Sequence, residues 1–185
     1  MIQFQINEER FNQIKEMALC GGNGADIAKA VCVMQAVDFI TSGGLSDDPE
    51  CSCPILTRLA IRLNDSFNDE HRQLLKPLIP LLVGTVASDE IKIKRKQLIM
   101  WRNVTATYPL ILDLFKMPEL AEKLRSFTNT VSAMADAAKL LKENKEKIYA
   151  NAYANAYADA YANALREKIA VTAVETLRLA CLVTS

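Results

Sequence analysis

Histidine is almost missing from this chain: His71 is the only one among 185 residues. A single imidazole excludes multi-histidine metal centres and removes the commonest proton carrier from most acid–base schemes. Six glycines and six prolines are too few for an all-β sandwich, which turns about every ten residues. A surplus of one charge is lacking as well. Twenty-two Lys and Arg balance twenty-two Asp and Glu, so no global field favours nucleic acid or anionic lipid, and nucleic acid is not an expected partner. No apolar run approaches the roughly 18 residues that a bilayer demands; the longest candidate lies between Pro77 and Val83. The first residues, MIQFQINEER, have neither the basic start nor the apolar stretch of a signal peptide. Five cysteines are odd in number and too sparse for a disulfide-built secreted scaffold. A reduced cytoplasmic protein with no membrane partner is expected.

What is present is a globular composition, 50% apolar and 24% charged, with enough length to bury roughly 70% of the unfolded chain's surface. The periodicity predicts helices nearly throughout. MIQFQI alternates but has no partner strand, so it reads as an extended arm. Asn7 caps a first helix that shows Phe11, Ile14, Met17 and Ala18 on one face and ends at Gly21-Gly22. A mostly buried second helix is expected from Ala25 to Thr41, stopped by Ser42-Gly43-Gly44. After an acidic loop, Pro54 opens a third helix, Asn64 to Asn68 turns the chain, and Asn68 caps a fourth. Pro77 and Pro80 must break that helix before Gly84. Another starts near Ser88 and should stop before Pro109, with short helices at about 109–116 and 118–126. From Thr130 to Leu182 there is neither glycine nor proline, which predicts a very long helix.

Within that stretch YANAYANAYADAYANA repeats every four residues. Tyr149, Tyr153, Tyr157 and Tyr161 form one row; Asn151, Asn155, Asp159 and Asn163 form a second, with alanine between. Alanine is the best helix former, while alanine, asparagine and aspartate are poor in strands, so helix prevails over the period-two alternative. A two-residue offset is about 200°, which sets the Asn/Asp row nearly opposite the tyrosines. Four residues overshoot a turn by about 40°, so the row drifts and suits a partner crossing at an angle. Two readings stand: the ladder packs on the body of its own chain, or it is a face for self-association or for a partner, with Tyr149, Tyr153, Tyr157, Tyr161, Asn155 and Asp159 as contacts.

The other constellations have plainer explanations. Cys20, Cys32, Cys51 and Cys53 invite a zinc reading, but only Cys51-Ser52-Cys53 is closely spaced, and Cys20 and Cys32 fall on expected apolar helix faces. Gly21-Gly22-Asn23-Gly24 lacks the strand, lysine and spacing of a phosphate loop. His71 has acids nearby but no nucleophile motif. Asp47, Asp48 and Glu50 lack calcium-loop spacing and read as a solvated loop. Lys92, Arg95 and Lys96, beside Lys94, Trp101 and Arg102, read as a solvated basic flank.

The stretch VCVMQAV at Val31–Val37, then SDDPECSCPI at Ser46–Ile55, then Asn64-Asp65, Leu75–Pro80 and Leu82-Val83-Gly84-Thr85 carry a resemblance. They resemble a family of functionally unassigned helical proteins of bacteria and their phages, with CVMEAVA, SDHPxCVCPVI, WND and LVGT motifs and alanine-rich C-terminal repeats. The resemblance spans about residues 25–115 in motif and the remainder in style. It implies a helical fold, a phage or mobile-element setting and no catalytic activity. Gln35 stands where that family tends to glutamate and Asp48 where it tends to histidine, so any metal or catalytic role of that pair would be lost here.

Together these readings predict an all-α protein: a compact multi-helix body over 1–127 and a long Ala/Tyr-rich helical segment over 128–185, packed on it or projecting, in one structural unit. The expected role is non-catalytic protein–protein interaction without a cofactor, as a phage-type inhibitor or adaptor acting on a host protein complex such as a defence system. The alternatives are a small thiol- or metal-dependent enzyme around Cys51, Cys53, Asp47, Asp48 and His71, and a homo-oligomeric structural protein.

Overall fold

The computed structural model describes residues 4–22, 30–155 and 160–184, with side chains omitted at 153–155 and 160–164. The fold is all-α; among the described residues the only β pairing is one isolated parallel bridge, Leu19 with Val31. The chain divides into two compact units, 1–95 with 177–185, and 96–176. Within the second unit Val104 and Leu112 share one core with Met134 and Ala137.

In the first unit, α1 (Glu8–Glu16) starts as expected: the Asn7 side chain accepts from the Arg10 amide at 3.0 Å, with Glu8 and Glu9 in the first turn. It stops at Met17, well before Gly21. The cause is tertiary. Leu19 is buried, and the Gln73 side chain binds its amide and its carbonyl, each at 3.0 Å, acting as a strand partner. The second helix, α2 (Val33–Thr41), is shorter than the expected 25–41; residues 23–29 lie outside the described residues. Cys32 is extended (φ −75°, ψ 163°) and caps α2. Its sulfur accepts from the Gln35 amide at 3.4 Å, and the Gln35 side chain accepts from the Cys32 amide at 3.0 Å, a reciprocal capping box. Cys20 and Cys32 therefore do not lie on apolar helix faces.

Almost every residue of α2 is buried, and it packs against α1, α3 (Pro54–Ser66) and α5 (Ile79–Leu82). Between α3 and α5 lie α4 (Asp69–Arg72), capped by Asn68, and a 3-10 turn over Gln73–Leu78 that contains Pro77. The two prolines break this stretch as expected. Asn64, expected in a turn, lies within α3 and is 1% exposed. Lys92 and Lys94 of α6 (Asp89–Arg102) pair with Asp89 and Glu90. Arg95 corrects the expectation of a solvated flank: it is 3% exposed. Its guanidinium donates to the carbonyls of Thr85 at 2.5 Å and Val183 at 3.1 Å, main-chain acceptors that burial would otherwise orphan.

The second unit contradicts the expected helix stop before Pro109. The helix runs on from α6 through a π turn, Asn103–Thr107, into α7 (Tyr108–Leu114). A proline ring collides with the carbonyl four residues back, here that of Thr105. The wider π turn moves that carbonyl aside, and the Tyr108 amide reaches back to the Asn103 carbonyl. Lys116 closes α7 in the left-handed region, φ 56°. The Lys116 amide donates to Asp113 at 3.0 Å and the Met117 amide to Leu112 at 2.8 Å, the paired bonds of a Schellman turn. Then α8 (Pro118–Arg125) packs against α7 and the π turn.

The expected single helix after Thr130 is interrupted. It comprises α9 (Val131–Glu143), α10 (Lys145–Asn155) and α11 (Ala160–Cys181). Asn144 ends α9 because its side-chain amide donates to the Leu140 carbonyl at 2.9 Å, a local bond that competes with helix continuation. Residues 156–159 lie outside the described residues. Among the described residues no helix is long and apolar enough to cross a membrane.

Candidate interaction surface

In the second unit, Thr130 opens α9, its hydroxyl accepting from the Ala133 amide at 3.1 Å. Met134 and Ala137 then enter a core built on Val104, Leu112, Met117, Leu120, Ala121 and Leu124. Leu140 and Leu141, and beyond Asn144 Ile148, pack on that core. The core-facing stripe thus continues into α10 and fixes its rotation. Tyr149 is the next residue, about 100° further around the helix, and it is 61% exposed. The Lys145 ammonium sits 5.6 Å from the centre of its ring, within cation–π range. None of the residues of α10 with described side chains is fully buried.

Tyr149 is therefore a large aromatic presented to solvent from a helix anchored by its other face. The side-chain amide of Asn151 donates to the Lys147 carbonyl at 2.9 Å. Tyr153 and Asn155 lie in α10 and Tyr161 in α11, with side chains outside the described residues. Tyr157 and Asp159 lie wholly outside them.

The residues of the alternative, enzymatic reading are scattered through the first unit. Cys51 and Asp48 line a cleft of about 660 Å³ with Asp38, Thr41, Ser42 and Glu50. The Cys51 sulfur lies 3.7 Å from the Thr41 hydroxyl, and burial pushes its thiol above the ordinary range, away from the thiolate that nucleophilic chemistry needs. Cys53 is buried elsewhere, at the start of α3, with its amide donating to the Thr85 hydroxyl at 3.0 Å. Asp47 borders a separate, small pocket with Cys32, Asn64 and Asp65. His71 meets the edge of the Phe67 ring, 6.3 Å between centroids. Among the described residues no three His, Cys, Asp or Glu are grouped to hold a metal ion.

Several polar residues that the spacing did not mark prove central. Asp38, 9% exposed, accepts from the Ser42 hydroxyl at 2.7 Å and the Ser46 amide at 2.8 Å, and so shapes the rim of the large cleft. Its only sequence signal is a lone acid in an apolar helix. Arg72 is buried with its guanidinium on the carbonyls of Asn64 and Phe67, at 2.7 and 2.5 Å. Comparison with known proteins adds no relative: no family model, curated protein or solved structure matches the chain.

Proposed function

We propose that the chain is a non-catalytic protein–protein interaction protein that docks on its partner through the aromatic face of its C-terminal helical segment. The observation that carries this reading is Tyr149, 61% exposed while its neighbour Ile148 packs on the core. A tyrosine offers large contact area at small entropic cost and is enriched at interfaces. One four-residue step on within α10, Tyr153 falls about 140° from the Ile148 direction by helix periodicity, which continues the face that Tyr149 opens. The raised thiol of Cys51 and the separation of Cys53 and His71 from the cleft speak against the enzymatic alternative. The motif resemblance supports a host protein complex as the partner, with the chain as a phage-type inhibitor or adaptor.

The test compares the unsubstituted chain with Tyr149→Ser and with a Tyr149/Tyr153 double-serine variant. Tagged protein is used to capture partners from bacterial lysate, and its mass is followed by light scattering against concentration. A host complex held by the native chain and lost in both variants, at unchanged thermal stability, supports the reading. Concentration-dependent mass that is lost in the variants makes the partner a second copy. Binding unaffected by both substitutions overturns it.

A further inference from the structure

Nothing in their spacing relates Cys20 to Cys32, yet the fold sets them side by side. Leu19 and Val31 form a parallel bridge, and the Cys20 amide donates to the Val31 carbonyl at 3.0 Å. The two cysteines follow the bridged pair in register. Paired strands lie about 4.8 Å apart and successive side chains alternate faces. By that alternation Cys20 and Cys32 start on the side away from Leu19 and Val31, and the Cys32 sulfur turns to accept from the Gln35 amide at 3.4 Å. A disulfide spans Cα separations of about 4.4 to 6.8 Å, a window that includes this spacing.

Beyond the bridge direct pairing ends and one side chain links the two segments. The Asn64 side chain donates to the Cys20 carbonyl at 2.9 Å and accepts from the Val33 amide at 3.2 Å, holding both segments on one amide group. Exposure separates the two thiols. Cys20 is partly exposed, whereas Cys32, Cys51, Cys53 and Cys181 are buried.

We propose that Cys20 and Cys32 form a reversible dithiol–disulfide site, oxidised by a low-molecular-weight disulfide such as oxidised glutathione. The Cys20 thiolate attacks one sulfur of the glutathione disulfide, giving a Cys20–glutathione mixed disulfide and one glutathione thiolate. The Cys32 thiolate then attacks the Cys20 sulfur, forming the Cys20–Cys32 bond and expelling the second glutathione. The two protein thiols give up two electrons and two protons, and the glutathione disulfide takes them up as two thiols. Burial pushes the Cys32 thiol up, which suits it to the resolving rather than the attacking role. Because the Cys32 sulfur also caps α2, oxidation acts on the start of the helix around which the first unit packs. The site is independent of the aromatic face.

The experiment treats the full chain with oxidised glutathione, blocks the remaining thiols, and maps the tryptic peptides by mass spectrometry. Cys20 and Cys32 fall on different peptides, 16–29 and 30–58, and fragmentation assigns the thiol within the second. The expected result is a fall from five free thiols to three, a Cys20–Cys32 cross-link, and recovery with dithiothreitol. Cys32→Ser keeps a hydroxyl cap for α2 and is expected to retain one glutathione on Cys20. Cys20→Ser is expected to lose no thiol. A cross-link between other cysteines, a mixed disulfide that persists on Cys20 in the unsubstituted chain, or no thiol lost while a control dithiol peptide is oxidised, overturns the proposal.

Discussion

Replacing Asn64 with leucine tests how the first unit is tied together. The asparagine is 1% exposed, and its side chain supplies the acceptor for the first amide of α2 and a donor for the Cys20 carbonyl. Leucine keeps the branched outline of asparagine but is bulkier, so no cavity opens and any crowding adds to the polar loss. The Val33 residue is fully buried, and an orphaned buried amide costs about 1–3 kcal/mol. The Cys20 carbonyl loses one ordinary hydrogen bond, about 1 kcal/mol net. Relaxation is limited because Arg72 holds the Asn64 carbonyl at 2.7 Å. The expected destabilisation is about 2–4 kcal/mol, a large share of the roughly 5–15 kcal/mol typical of a domain. Urea denaturation followed by circular dichroism measures it, and hydrogen exchange reports the Val33 amide directly. A loss under about 0.5 kcal/mol with that amide still protected would refute the reasoning.

Two further substitutions read local physics. Lys116→Gly removes a side chain from a left-handed position, φ 56°, and is expected to stabilise the second unit by about 0.5–1 kcal/mol; a lowered unfolding midpoint contradicts this. Cys181 is buried and its thiol is pushed up to about 11 from 9.0. The unfolded chain releases that proton first, so the contribution is intact below pH 9 and declines as pH rises from 9 towards 11. Cys181→Ala is expected to flatten that alkaline decline in urea midpoints, and an identical slope in both proteins counts against burial as its cause.

Features governed by near neighbours were legible in the sequence. The Asn7 and Asn68 caps, Pro54 at a helix start and the break at Pro77 and Pro80 each depend on residues within one turn. The misplaced boundaries have distant causes. Gln73 ends the helical path before Leu19 from far along the chain, and Asn64 helps to set where α2 begins. Arg95 sits in a charge run that suits a solvated face, yet its partners include the Val183 carbonyl. The tyrosine repeat was plain, but the exposure of Tyr149 follows from the core contact of Ile148 beside it. The Cys20–Cys32 juxtaposition was invisible because it rests on a single bridge.

The return of residues 177–185 to the first unit has a consequence for the order of synthesis. Leu177, Ala180 and Cys181 are buried, and the Val183 carbonyl occupies half of the Arg95 guanidinium's hydrogen bonding. Roughly 80 residues are translated between Arg95 and that segment, which takes about 4–16 s at ordinary elongation rates. Through that interval the nascent first unit exists with an unfilled seat beside Arg95, while the residues of 96–176 that form the second unit are already being made. Completion of the first unit therefore waits on residues 177–185, made after the whole of the second unit, whereas the second unit is contiguous and can close first.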